Sequence, residues 1–294
     1  MARMALAAGG EVGVLARHLE TGLTLSMNDN EVFPMASTFK IAVAGAVLSK
    51  VDQGVLTLDQ LIAVDPKHLL SSEGIAEIFP FPGVSVSLHN LIESMLTRSD
   101  NTATNVLTEL AGGPAAVTNW VRGLGVEGMR IDGDTNDIVG RFYGLSPADG
   151  PVGAQLEKAF AANSTIKASA SFDDDARDTA TPRSMVLLLS KIAAGHALSP
   201  GSTDVLLGSM ERCTTGLKRL RGQLPTGTLV RDKTGTIGAT ANDVGILTLP
   251  NDRGRVVIAV YIKKSLKPLE ERERVIAEIA RSVYDYMLIE NVDR

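Results

Sequence analysis

Pro34-Met35-Ala36-Ser37-Thr38-Phe39-Lys40, followed by Ile41-Ala42-Val43-Ala44-Gly45-Ala46-Val47-Leu48, is the stretch on which the fold turns. Its second part carries no polar side chain, so a helix built from it is apolar on every side and belongs inside the protein. Ser37 then opens a buried helix, where the first-turn N–H groups and the helix dipole favour negative charge. Lys40 stands three residues on and shares its face. A lysine held there loses solvation and its pKa falls, so the neutral amine can take a proton from a neighbouring hydroxyl and make Ser37 a nucleophile. Spacing alone does not decide the matter. Ser164-Thr165-Ile166-Lys167 repeats it, and a helix cap beside a solvated lysine has the same pattern.

The rest of the chain sets bounds on the chemistry. Its 294 residues can bury a large core without help from metals or disulfides, as one large domain or two intimate ones. A hydrophobic share of 44%, a charged share of 21% and a net charge of -5 leave no basic excess for nucleic acid. Cys213 stands alone, without a CxxC or clustered histidines, and reads as a packing residue; no motif calls for a metal or other cofactor. No apolar stretch reaches the length of a membrane span, and Met1 to Gly10 lacks a signal-like apolar core. The chain therefore reads as soluble, a monomer by default, with its compartment open: cytoplasmic as it stands, periplasmic or secreted if a leader has been removed.

Outward from Ser37 toward the N-terminus, Glu11 to Leu19 and Leu23 to Met27 are β-prone and joined by Glu20-Thr21-Gly22, a hairpin. Beyond the Ser37 helix, Val86 to Leu96, Thr102 to Leu110 and Pro114 to Leu124 read as helices, the last carrying Trp120 as a core residue. Residues 132 to 182 are the least regular part, rich in Gly, Asp, Ser and Pro, with Val152 to Ala162 the one clear helix. Met185 to Ala194 is helical again. Thr228 to Thr236, Val244 to Leu249 and Arg255 to Lys263 then form a strand meander. In Leu269 to Leu288, Val275, Ile279, Val283 and Met287 make an apolar helix stripe that should pack on the sheet.

Strands at both ends with helices between predict an α/β (α+β) architecture of two subdomains. Residues 1–31 and 186–294 form the sheet subdomain. Residues 32–185 form a mainly helical one with an expanded loop at 132–182. The cleft between them is the natural site, with Ser37 at the seam.

Three separated elements now stand in order: Ser37-Thr38-Phe39-Lys40, Ser99-Asp100-Asn101 and Lys233-Thr234-Gly235. With Phe33-Pro34-Met35, Ser99 to Asn105, Arg177 to Pro182, Met210 to Pro225, Asp232 to Thr236 and Asn242-Asp243, the chain resembles class A serine β-lactamases over almost its whole length. The resemblance implies Ser37 as nucleophile, Lys40 as its base or proton relay, and Ser99 as donor to the departing nitrogen. It implies the backbone N–H groups of Ser37 and Thr236 as the oxyanion hole, and Lys233 as the cation that holds Ser99 and a substrate carboxylate. Thr234, Gly235 and Thr236 would present a strand edge to the substrate amide, and Asn101 would bind its carbonyl. The substrate implied is a small β-lactam.

One part departs from the family pattern. Class A enzymes carry a deacylating glutamate in a Glu-x-x-Leu-Asn motif of the Ω-loop, and no such motif exists in this chain. Arg130-Ile131-Asp132 matches the stretch before it, which brings Thr135 to the glutamate's place. General-base help is worth roughly 10² to 10⁴ in rate, so its loss would leave the acyl-enzyme long-lived. Asp134, Asp137 and Glu157, with Asp173, Asp174 and Asp175 further along, are candidate substitutes, each also readable as a solvated loop carboxylate. Arg177 and Asp178 are expected to pair and anchor the loop, and His68, Glu73 and Arg219 are rim candidates that also read as solvated surface. Two alternatives stay beside β-lactam hydrolysis: a hydrolase of another lactam, amide or ester, and a penicillin-binding or sensor-like protein that is acylated and deacylates slowly.

Overall fold

The computed structural model describes residues 1–70, 74–162, 169 and 171–290. Glu73 and the Ser164–Lys167 pair lie outside the described residues.

Both ends of the chain build one antiparallel sheet, as the strand pattern implies. Its five strands run in the order Thr24–Met27, Glu11–His18, Arg255–Lys263, Thr240–Thr248, Val230–Ile237. Glu11 pairs with Lys263 and His18 with Val256, so the first long strand lies along the last. A short helix, Ala2–Ala7, precedes it. Alternation along Arg255–Lys263 divides the core in two. Val257, Ala259 and Tyr261 face the helices of the middle of the chain, while Val256, Ile258, Val260 and Ile262 face the helix Leu269–Glu290 through Val275, Ile279, Val283 and Met287. Because both faces are covered, the strand reads as one continuous apolar run rather than an alternating one.

The helix behind Ser37 spans Lys40–Asp52, and Ile41, Ala42, Val43, Ala44, Val47 and Leu48 are all 0% exposed, as an all-round apolar sequence requires. It packs against Leu88–Thr97, Asn101–Ala111, Pro114–Gly123 and Pro200–Glu211. Gly45 is needed for the fit, since a Cβ there would stand 2.1 Å from the ring of Trp120. Trp120 itself is only partly buried and lies against this core.

Among its described residues, the long irregular stretch holds more helix than its composition predicts. A helix at Thr135–Tyr143 joins the expected one, observed at Val152–Ala161. Asp134 and Asp137 form a reciprocal capping box at its start, Ile138 and Phe142 bury one face, and Gly144 ends it in the left-handed conformation at φ 68°. The ends of the stretch are pinned together. Phe33–Pro34, Thr179–Ala180 and Met129–Arg130 form a small sheet with Thr179–Ala180 in the middle, so the 131–178 excursion starts and ends on one small sheet shared with the strand that leads into Ser37.

Candidate active site

Ser37 does not open the α-helix. It sits in a tight 3₁₀ turn, Ala36–Phe39, and Lys40 begins the α-helix proper. In a 3₁₀ turn side chains at i and i+3 share one side of the chain, which keeps Lys40 on the side of Ser37. Ala36 enters the turn at φ 45°. Asn242, fully buried, holds this entry: its Nδ2 donates to Pro34 O at 2.8 Å and Met35 O at 3.0 Å, while its Oδ1 accepts from Ile262 N at 3.2 Å. The turn that carries Ser37 is thereby fastened to the sheet.

Lys40 Nζ is buried and donates to Ser99 O at 2.7 Å and Asn101 Oδ1 at 2.8 Å, and lies 3.2 Å from Ser99 Oγ. Ser99 is held at φ 59°, a left-handed conformation uncommon outside glycine, where backbone strain marks functional sites. Asp100 fixes the next helix: its Oδ1 accepts from Ala103 N at 3.1 Å, and its Oδ2 accepts from Ile75 N at 2.9 Å and Ser94 Oγ at 2.7 Å. Burial pushes the Lys40 amine well below the ordinary lysine value, the nearby Lys233 charge adds to the depression, and Asp100 opposes it.

The other wall is the sheet's outer strand, Val230–Ile237, which has a neighbour on one side only. Gly235 permits its close approach, because a Cβ there would stand 2.6 Å from Met35 O and 3.1 Å from Ser37 N. The buried Lys233 donates to Thr234 O at 3.0 Å, and burial lowers its amine too. Thr234 Oγ1 lies 2.6 Å from Thr215 Oγ1. Arg219, read from sequence as solvated, is buried. It donates to Gly235 O at 3.2 Å, Asn242 O at 2.9 Å and Thr236 Oγ1 at 2.6 Å, with Glu273 at 3.2 Å as its counter-ion. Two cations thus lie behind one strand edge, a field that favours an anionic group on the outside.

Ser37, Asn101, Thr135, Ile138, Val139 and Thr236 are among the residues lining a cavity of about 80 Å³. No carboxylate is among the residues lining it. Asp134 and Asp137 are spent on their capping box, Asp134 N donating to Asp137 Oδ2 at 3.1 Å and Asp137 N to Asp134 Oδ1 at 3.0 Å. They face a different hollow, shared with Lys67, His68 and Glu109. Glu157 is exposed on its helix. Asp173 accepts from Thr240 Oγ1 and Lys264 N, Asp174 pairs with Lys264, and Asp175 pairs with Arg177. His68, the other rim candidate, is buried and paired with Glu109 at 2.8 Å.

The loop anchor differs from the expected one. Arg177 turns to Asp175, and Arg141 takes Asp178 instead. Asp178 Oδ1 accepts from Asp132 N at 2.8 Å and Gly133 N at 3.0 Å. Gly133 leaves the space this needs: a Cβ there would stand 2.5 Å from Asp137 Cβ and 3.2 Å from Arg141 Nη1. Arg141 carries no motif signal, and only its place in the last turn of the Thr135–Tyr143 helix brings it to the loop.

Over residues 1–287 the chain matches a family model described as the β-lactamase enzyme family. It is 33% identical over 275 residues to the carbapenem-hydrolyzing β-lactamase KPC of Klebsiella oxytoca, covering 93% of this chain and 83% of that protein. Its fold is similar to the crystal structure of a β-lactamase from Chitinophaga pinensis, with a TM-score of 0.81, 34% identity and 97% of each chain covered. An ancestral class A β-lactamase is similar to the same degree, with a TM-score of 0.81, 34% identity and 97% of each chain covered.

Proposed function

Because the chain belongs to the β-lactamase enzyme family, we propose that it opens the cyclic amide of a β-lactam through an ester on Ser37 and frees the product by hydrolysis. What supports the reading most is Lys40, a buried amine 3.2 Å from Ser99 Oγ and 2.8 Å from Asn101 Oδ1, with its basicity lowered by burial and by Lys233. An amine whose hold on its proton is weakened in this way can, in its neutral form, accept the proton of Ser37 as its Oγ attacks the lactam carbonyl.

The steps balance without a cofactor. Ser37 Oγ bonds to the carbonyl carbon, its proton passes to Lys40, and the carbonyl electrons form an oxyanion held by the N–H groups of Ser37 and Thr236. Collapse breaks the ring C–N bond, and the nitrogen receives a proton from Ser99, which recovers one from Lys40. Lys40 is left neutral and Ser37 acylated. A substrate carboxylate would sit outside Thr234 and Thr236, in the field of Lys233 and Arg219. Asn101, whose Oδ1 accepts from Lys40, would bind the substrate carbonyl through its amide Nδ2. Water then cleaves the ester.

Intact-mass measurement beside turnover of a chromogenic cephalosporin, a penicillin, a larger lactam and a simple ester tests this. The expected result is a Ser37 adduct and ring opening with β-lactams, both absent in Ser37→Ala. Ring opening that survives Ser37→Ala overturns it, and turnover confined to the other lactam or the ester replaces the substrate class.

A further inference from the structure

Thr135, Ile138 and Val139 on the Thr135–Tyr143 helix and Thr236 and Ile237 at the end of the outer strand line one cavity of about 80 Å³ beside Ser37. All five side chains are β-branched. Such side chains are stiff at χ1, so these walls do not swing aside as a methionine would. Pockets that enclose a drug-sized ligand run to roughly 300 to 1,000 Å³. What enters this cavity without moving a wall is therefore only a few atoms across.

The separation of the walls is itself fixed. Phe142, on the helix that carries Val139, packs its ring against the turn that follows Ile237, where a Cβ on Gly238 would stand 2.6 Å from Phe142 Cε2. Phe172 meets the same ring edge-on, with 5.2 Å between centroids. The turn is held from other sides too: Arg272 Nη1 donates to Gly238 O at 3.0 Å, and Thr240 Oγ1 donates to Asp173 Oδ1 at 3.1 Å. The start of the helix is tied to the body by Thr135 N, which donates to Asn105 Oδ1 at 2.9 Å.

We propose that Val139 and Ile237 set the specificity of the site, admitting a lactam whose substituent beside the carbonyl is compact and turning away a bulky one, with Phe142 against Gly238 as the spacer that keeps them apart. The inference deepens the acyl-Ser37 reading above and rests on it. A lactam carbonyl has the ring nitrogen on one side and the substituted ring carbon on the other. With the nitrogen toward Ser99, which is not among the residues lining the cavity, the substituted carbon faces the walls. Val139 and Ile237 are both half-buried, so each keeps surface for a substrate to meet. Phe142 is buried and touches no substrate; it is a positioning residue.

The acetyl, phenylacetyl and dimethoxybenzoyl amides of one penicillin nucleus share ring and carboxylate and differ only in bulk, so kcat/KM across the three tests the proposal. The parent should favour the acetyl amide over the dimethoxybenzoyl one by about tenfold or more, since a single misfitting methylene is worth roughly that much. Val139→Ala and Ile237→Ala, on different elements, should each raise the ratio of bulky to compact by about tenfold. Phe142→Leu should raise it as well, which a loss of stability alone does not do. A parent that opens all three amides at like rates, or a ratio unmoved in both alanine variants, overturns the specificity role and leaves the acyl-Ser37 reading intact. A ratio unmoved in Phe142→Leu overturns the spacer. Absence of any Ser37 adduct in the parent overturns the reading together with the proposal.

Discussion

Arg141 Nη2 donates to Asp178 Oδ2, joining the last turn of the Thr135–Tyr143 helix to the end of the excursion that carries it. Asp178 is buried, so burial pushes its carboxyl up, against the N–H groups of Asp132 and Gly133 and the Arg141 guanidinium, which favour the charged form. The pair therefore does more than a surface ion pair of the kind Arg177 makes with Asp175.

Removing Arg141 would strand a buried charge. Truncating one partner of such a pair costs about 3 kcal/mol, and the loss should fall first on the helix that carries Val139. Arg141→Ala is expected to lower Tm by several degrees, to open residues 131–178 to protease before the sheet unfolds, and to admit bulky substituents that the parent turns away. Limited proteolysis with mass mapping checks this. A uniform melt with no early cut would show that the loop does not depend on the contact.

The amine of Lys40 sets the pH behaviour. Its active form is the neutral one, so kcat/KM should rise with pH along an acid limb whose midpoint lies below the ordinary lysine value of 10.5, then level off. Lys233 lowers that midpoint and Asp100 raises it. Lys233→Met should move the limb to higher pH in addition to weakening anionic substrates, and Lys40→Arg should abolish the limb with the activity. A limb that stays put in Lys233→Met would remove the electrostatic link.

The same amine makes a stability prediction of opposite character. A base depressed in the folded state binds fewer protons there than in the unfolded chain, so the parent gains stability as pH rises from the depressed value toward 10.5. Lys40→Met lacks this dependence. The Tm of the Met variant relative to the parent should therefore be highest near neutral pH and shrink toward pH 10, whatever constant offset follows from the lost bonds to Ser99 and Asn101. Parallel melts at several pH values decide it; a flat difference would mean that burial does not perturb the amine.

Gly235 is where strand and turn touch. With a Cβ placed 2.6 Å from Met35 O and 3.1 Å from Ser37 N, Gly235→Ala must push the edge away from the nucleophile. A displacement of about 1 Å costs on the order of 10² in rate, so acylation should fall at least that far while the circular dichroism of the sheet persists. Crystal coordinates of the variant with an unmoved edge and full activity would contradict the geometry.

Much of this was written locally in the sequence. Apolar runs announce the strands that are covered on both faces, and the all-apolar helix after Lys40 announces its own burial. What escapes a local reading depends on partners far along the chain. The Thr135–Tyr143 helix is short, and Ile138 and Phe142 are the only large apolar residues of its face to be buried, so its period drowns among Gly and Asp. Arg219 reads as surface because its charge is visible and Glu273, Thr236 and the two carbonyls that satisfy it are not. Arg141 and Asp178 find each other only once the small sheet at Pro34 has closed the excursion. The 3₁₀ turn at Ser37 differs from an α-turn by one hydrogen-bond register, which no side-chain pattern encodes.

Because Glu11–His18 lies between Thr24–Met27 and Arg255–Lys263, the earliest long strand to leave a ribosome waits for nearly the latest. The nucleophile's helix can gather its neighbours well before that, but the wall it works against is hung on strands made afterwards. A chain cut short ahead of residue 255 lacks the strand that joins Glu11–His18 to the rest of the sheet and should be inert, which makes activity a sensor of whether synthesis has passed that point.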